Sequence, residues 1–288
     1  MIYLRSFRLP SLRARELFVN DVKRTCYNTF YPFDLFALQE VPLFTFEPVT
    51  VLCGGNGSGK TTLLNVIAQK LGIARDAVYN RSSFFEDYVD RCEAETEGER
   101  SALLDGRIIT SDDVFDYLLN VRCLNENIDR HREELVDEYR RTRKEGYTFR
   151  SMADYEELKR FLDTKRQTES AYIRRNMMNN TPEKSNGESA LIYFTENIRE
   201  NALYLLDEPE NSLSAQKQLE LVQFISDSAR FYGCQFIIAT HSPFIMSVRG
   251  AKVYDMDAQP PAPCRWTELE NVRTYFDFFM QNKNEFDK

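Results

Sequence analysis

Short apolar runs ended by polar residues recur along the chain and set out its elements. Val49-Thr50-Val51-Leu52-Cys53, Leu203-Tyr204-Leu205-Leu206 and Phe236-Ile237-Ile238-Ala239 are continuously apolar or β-branched, the pattern of strands buried on both faces of a parallel sheet. Arg107-Ile108-Ile109-Thr110 and Ala251-Lys252-Val253-Tyr254 read as two further strands, the second broken off by Gln259-Pro260-Pro261-Ala262-Pro263. At the N terminus, Ile2 and Leu4 predict a first strand with one apolar face. Helical spacing appears at Leu63, Ile67 and Leu71, from about Ala215 to Ser228, and over Leu269 to Phe286, an aromatic-rich helix expected to pack on the body. Buried strands alternating with helices predict an α/β fold with a mostly parallel central sheet.

Residues 112–184 break this rhythm. Leu124, Ile128, Leu135 and Tyr139 have helical spacing, as do Met152, Tyr155, Leu158 and Leu162, with Gly146 between the two sets. They predict a helical hairpin inserted between 1–111 and 185–288, with His131 on its seam and Asn179 to Lys184 as the returning loop. Its acidic and basic side chains balance, with basic clusters at Arg140-Arg141-Thr142-Arg143-Lys144 and Arg174-Arg175. Two readings stand: a solvated helix pair laced by salt bridges, or a docking surface for nucleic acid or a partner.

The chemistry sits at the strand ends. Gly54-Gly55-Asn56-Gly57-Ser58-Gly59-Lys60-Thr61 is a complete phosphate-binding loop, G-x-x-x-x-G-K-T, placed between a predicted strand and helix as the motif requires. Its glycines let successive N–H groups face one hollow at a helix N terminus, where an anion is favoured. Gly54, Asn56, Gly57, Ser58, Gly59, Lys60, Thr61 and Thr62 are therefore expected to hold a nucleotide, Lys60 at the β- and γ-phosphates and the Thr61 hydroxyl on Mg²⁺. Asp207, at the end of an apolar run, is expected to hold Mg²⁺, and Glu208 to polarise the attacking water. His241 ends the next strand, where it can hydrogen-bond a γ-phosphate or simply be a loop histidine. Ser185-Asn186-Gly187-Glu188-Ser189 precedes an apolar helix. It reads as a capping box through Ser185 and Glu188, as a second phosphate-binding helix start, or as both.

Composition narrows the setting. No apolar run is long enough to span a bilayer, and Met1 to Phe7 has no apolar signal core. Six scattered cysteines without a CxxC suggest reduced thiols, and a soluble cytoplasmic protein is expected. A net charge of −8 gives no general attraction to nucleic acid.

Taken in order, these segments resemble an ABC-type ATPase: phosphate loop, Ser185 to Ser189 as signature, the Asp207-Glu208 strand, Asn211 to Ser214 as D-loop, and His241 as switch histidine. More closely, the chain resembles a group of small stand-alone bacterial ABC ATPases, related to the chromosome-maintenance and recombination-repair ATPases. Tyr31-Pro32-Phe33, Leu205 to Ser214 and Gln235 to Pro243 carry that closer likeness. The resemblance implies antiparallel N-terminal strands beside the main sheet, ATP and Mg²⁺ as cofactors, and a homodimer that forms head to tail on ATP. Each ATP would touch the phosphate loop of one head and Ser185, Gly187 and Glu188 of the other. It further implies a partner or effector, with roles in DNA metabolism or anti-phage defence. Two departures are visible: no glutamine loop is evident, Ser111 standing nearest its place, and Ser214 replaces the usual D-loop aspartate. They weigh against the alternative of a transporter's ATP-binding subunit; a nucleotide-gated scaffold that hydrolyses slowly or not at all is the other alternative. Tyr31 or Phe33 could stack on the adenine.

Overall fold

The computed structural model describes residues 1–22, 26–27, 29–36, 43–98, 105–144, 154–177 and 185–286. The chain forms two compact units, Met1–Phe115 with Asn186–Lys288, and Asp116–Ser185.

In the first unit, β3 (Val49–Cys53), β5 (Arg107–Thr110), β6 (Leu203–Asp207), β7 (Gln235–Ala239), β8 (Lys252–Asp255) and β9 (Ala262–Cys264) form a sheet of order β5-β6-β7-β3-β8-β9. All neighbours are parallel except the β8–β9 hairpin. β3, β6 and β7 are buried along their whole length, as their unbroken apolar sequences require. A second, antiparallel sheet has the order β2-β1-β4, from Leu43–Thr45, Leu4–Arg8 and Glu93–Thr96. Gln235 joins the two sheets: its Oε1 accepts the N–H groups of Tyr3 and Leu4, and its Nε2 donates to the Leu4 carbonyl.

Helix α1 (Leu12–Asp21) is capped by Ser11, and α2 (Lys60–Leu71) follows the phosphate loop. Leu63, Leu64, Val66 and Ile67 of α2 are fully buried against Leu52 and an aromatic group that includes Phe18 and Phe33. Each such side chain contributes about 1.5–3 kcal/mol by leaving water. That burial fixes the helix whose first turn carries Lys60 and Thr61. α3 (Phe85–Asp90) closes this core with Phe85, Tyr88 and Val89.

Helix α4 (Ser111–Lys144) leads into the second unit, which also holds α5 (Tyr155–Arg166) and α6 (Glu169–Asn176). Its buried centre is Leu135, Tyr139 and Tyr172. The first unit resumes with α7 (Asn186–Asn197), α8 (Ala215–Phe231), α9 (Pro243–Met246), α10 (Glu270–Gln281) and α11 (Lys283–Phe286).

Several expectations need correction. The first strand begins at Leu4, beyond Ile2, and an irregular register between Leu4 and Ser6 buries Leu4, Ser6 and Phe7. β8 ends at Asp255, ahead of Gln259 to Pro263 as expected, but the sheet goes on: that segment turns into β9, an edge strand, where a proline without an N–H is tolerated. The inserted segment is more than a hairpin, because Thr168 caps a further helix, α6. Tyr172 from α6 completes the buried centre, whereas Leu124, Tyr155 and Leu162 lie exposed. His131 faces solvent and meets Glu134 at 3.5 Å, away from any seam. The aromatic helix α10 buries only Val272. Met152, Gly146 and the Asn179 to Lys184 loop lie outside the described residues.

The basic cluster of the second unit is partly engaged within it. Arg140 meets Glu169 through Nε and Nη2 at 3.2 and 3.1 Å, joining α4 to the start of α6. Arg143 donates to the Tyr139 hydroxyl, and Lys165 to the Arg143 carbonyl at 2.9 Å.

Candidate functional site

The sheet order puts β7 between β3 and β6, so the C-terminal ends of three buried strands lie side by side. This edge is where open α/β sheets bind ligands. The phosphate loop leaves β3, Asp207 and Glu208 end β6, and His241 follows β7.

Gly59 N-caps α2 with φ 91°, a left-handed conformation. A Cβ there would stand 2.7 Å from the ring of Phe36, so conformation and close approach both require glycine. Lys60 is buried, and its Nζ donates to the Gly54 and Gly55 carbonyls at 2.8 and 2.9 Å and to Ser58 Oγ at 3.4 Å. Burial lowers its pKa; Glu208, Asp257 and Asp207 oppose that shift. A phosphate reaching this ammonium would exchange weak carbonyl contacts for a charged one.

The Thr61 hydroxyl donates to Asp207 Oδ1 at 3.0 Å, which brings together the two residues expected to hold a cation. Asp207 is buried, and that burial pushes its pKa up to about 6 despite the Thr61 hydrogen bond; Glu208 adds to the rise. A desolvated carboxylate beside a hydroxyl at a helix N terminus is a pair of hard oxygen donors, and it fits Mg²⁺. Among the described residues no cluster of His, Cys, Asp and Glu forms a metal cage by itself. Mg²⁺ bound through one or two protein oxygens plus phosphates needs none.

The Asp207 carboxylate is held at a cost. Its pKa is raised, so the penalty on the folded state is present at pH 7–8 and fades as pH falls from about 6 towards the usual aspartate range. Asp207→Asn, melted in EDTA at pH 8, is expected to gain about 2–3 kcal/mol, a few degrees in Tm. At pH 5 that gain should fall to about half. An Asp207→Asn protein that melts below wild type at pH 8 would show that the carboxylate stabilises the fold.

Glu208 has φ 49°, outside the region that non-glycine residues prefer. Its N–H still bonds the Ala239 carbonyl at 2.9 Å, so the chain turns sharply right after the sheet's last contact. Glu208 Oε2 accepts from Asn211 Nδ2 at 2.8 Å, and Oε1 lies 3.6 Å from His241 Nε2. This arrangement holds a carboxylate at the strand ends between two side chains.

His241 is fixed by its backbone. Glu210 Oε1 accepts its N–H at 2.6 Å and that of Ser242 at 3.2 Å, while Asn271 Nδ2 donates to its carbonyl at 3.2 Å. Its Nε2 makes no hydrogen bond, nor do Glu210 Oε2 and Asn271 Oδ1. A cleft of about 510 Å³ opens beside them, lined by Gly54, Gly55, His241, Asp257 and Tyr275 among others. Asp257 Oδ2 accepts the Gly55 N–H at 2.7 Å and so anchors the first limb of the phosphate loop.

Sequence reading missed Asp257 and Asn271, and it placed Glu210 and Asn211 in the segment around the D-loop without a role for either side chain. Each holds a backbone or carboxylate of the site, and each looks in sequence like an ordinary turn or cap residue. Phe33 cannot stack on a base, because it is buried and stacked on Phe18 at 4.6 Å. Tyr31 is half-buried and its hydroxyl is 2.8 Å from that of Thr62. The Ser185-to-Glu188 segment straddles the two compact units. Asn186 begins α7, and the Cα of Gly187 backs on the Ser212–Ser214 turn, where a Cβ would lie 3.6 Å from the Ser212 carbonyl. Ser214 caps α8 through the Lys217 N–H, a role an aspartate could equally fill.

A parallel sheet with a phosphate loop on its middle strand and carboxylates on the next strand but one defines a nucleoside-triphosphate-binding α/β protein. The family model described as "ABC transporter" matches residues 44–211, more than half of the chain, and the chain belongs to that family of ATP-binding proteins. A model described as "AAA domain, putative AbiEii toxin, Type IV TA system" matches residues 185–247. Among solved structures the chain is similar to the Smc head domain of Pyrococcus furiosus bound to the C-terminal domain of ScpA, at 13% identity over 100% of both chains, TM-score 0.46. It is similar to the SMC head domain of Thermotoga maritima, at 14% identity over 88% of this chain and 94% of that one, TM-score 0.43. A dimeric ATP-binding cassette in a post-hydrolysis state with ADP and Pi gives 12% identity over 88% and 94%, TM-score 0.38. No curated protein matches the chain. Among the described residues no helix is long and apolar enough to cross a membrane.

Proposed function

We propose that this chain is an Mg²⁺-dependent ATPase whose heads pair head to tail around ATP and pass the resulting change to a partner. The observation that carries the reading is Glu208, a strand-end carboxylate held between Asn211 and His241 beside the Thr61–Asp207 pair. A scaffold that only binds nucleotide has no need of a positioned base.

In this mechanism the loop amides and Lys60 bind the β- and γ-phosphates, with Asn56 and Ser58 lining the same hollow. Thr61 and Asp207 would hold Mg²⁺, which supplies charge neutralisation across the phosphates when bound. Glu208 takes a proton from the attacking water, and His241 Nε2 turns to the γ-phosphate. Ser185, Gly187 and Glu188 at the start of α7 close the γ-phosphate from a second head. Loss of that phosphate then releases the pair.

Membership of the ABC family supports ATP and Mg²⁺ as ligands. The match to a toxin family of a type IV toxin–antitoxin system favours defence over DNA metabolism as the setting. Nucleic acid, as a partner of the second unit, would be met by Arg141, Lys144, Arg174 and Arg175, since Arg140 is held by Glu169.

Purified protein should hydrolyse ATP at a rate that falls to background when Mg²⁺ is chelated, and Lys60→Ala should lose ATP binding. Hydrolysis that persists in Lys60→Ala would place the chemistry elsewhere.

A further inference from the structure

Helix α10 carries an apolar stripe beyond the core on which it begins. Val272 is buried, and Tyr275, Phe276 and Phe279 follow at three-, four- and seven-residue spacing on the same side. All three are at least half exposed, and Phe278, Met280 and, from α11, Phe286 widen the patch. The cluster is already assembled, because Phe279 meets Phe278 edge-on at 5.6 Å and Phe286 at 6.1 Å. Six large side chains exposed to this degree leave about 600 Å² bare, taking 150–250 Å² for each in full. That is the upper end of what a monomer tolerates and approaches the ~800 Å² that each partner gives to a standard interface.

We propose that a second copy of this chain covers the patch, α10 against α10 about a twofold axis, without nucleotide. Two such patches facing each other would bury about 1,200 Å², the lower limit of a standard interface, and a twofold contact requires only self-complementarity. Charge is a weak obstacle. The chain carries −8 overall, while α10 and α11 hold Arg273 and Lys283 against Glu270, Asp277 and Glu285, a net charge of only −1. Two acidic chains therefore meet where their mutual repulsion is small. The same charge leaves no basic face for an anionic membrane. The contact differs from the ATP-held pair because it is built on Phe276, Phe278 and Phe279, outside the cleft that Tyr275 shares with Gly54, Gly55 and His241, although Asn271 in the first turn of α10 bonds the His241 carbonyl. Pairing through α10 is thus one hydrogen bond from the switch histidine.

Light scattering of the eluting protein in EDTA, at about 10 µM and without nucleotide, is expected to give a dimer, a Kd well below that concentration. Phe276→Glu with Phe279→Glu should weaken it at least 100-fold and give a monomer, with unchanged circular dichroism and ATP binding. A photo-cross-linking phenylalanine analogue at position 279 should couple to α10 of the second chain. A monomeric wild type, a dimer untouched by the paired substitution, or cross-links only outside α10 and α11 would overturn the proposal. None of these readouts uses hydrolysis, so failure here and failure of the ATPase reading are separable.

Discussion

Glu208→Gln is expected to lower kcat by about 10²–10⁴-fold while ATP binds as tightly as to wild type, the range for removing a positioned general base. The substitution keeps the shape of the side chain, and a glutamine oxygen can still accept from Asn211 Nδ2. It removes the carboxylate charge that faces His241 and lies near Lys60. Binding depends on the loop amides and on Lys60, which the change leaves in place. Single-turnover hydrolysis with a separate nucleotide-binding titration divides the two effects. ATP should remain intact on the variant for minutes under conditions where wild type has converted it to ADP. A rate within a few-fold of wild type would remove Glu208 as base.

The residues that meet at the sheet edge were legible because buried parallel strands leave few choices. Unbroken apolar runs such as Leu203 to Leu206 must lie inside a sheet, and the first polar residue after each one emerges at its edge. Asp207 follows this rule directly, Glu208 and His241 stand one residue further on, and the phosphate loop is legible from its G-x-x-x-x-G-K-T spacing. The α10 patch was not, because periodicity identifies an apolar face without saying whether anything covers it. Val272 and Phe279 belong to one stripe, yet the core reaches only the first. The edge strand β9 was hidden by its prolines, which disqualify a central strand and not an outer one. Asp257 and Glu210 escaped because their function is to accept backbone N–H groups from segments about 200 and 30 residues away. No local pattern encodes such a partner. Helix α6 did carry a signal in its Thr168 cap, which the longer spacing of the neighbouring apolar residues obscured.

The central claim is that a complete ATP site takes Lys60 from one chain and Ser185 from another. Ser185 lies in the second compact unit and Lys60 in the first, and in the proposed mechanism the start of α7 meets the nucleotide of a second head. Lys60→Ala removes the phosphate contact, and Ser185→Arg obstructs the signature, so each variant alone is expected to show under about 1% of wild-type hydrolysis. Mixed in equal amounts, half of the pairs are mixed, and each mixed pair holds one site with both Lys60 and Ser185 intact. The mixture should therefore recover about a quarter of wild-type activity, as twofold pairing requires. The decisive measurement is this ATPase rate. Recovery towards a quarter supports a shared site, and a mixture no more active than the sum of its two inactive parts contradicts it.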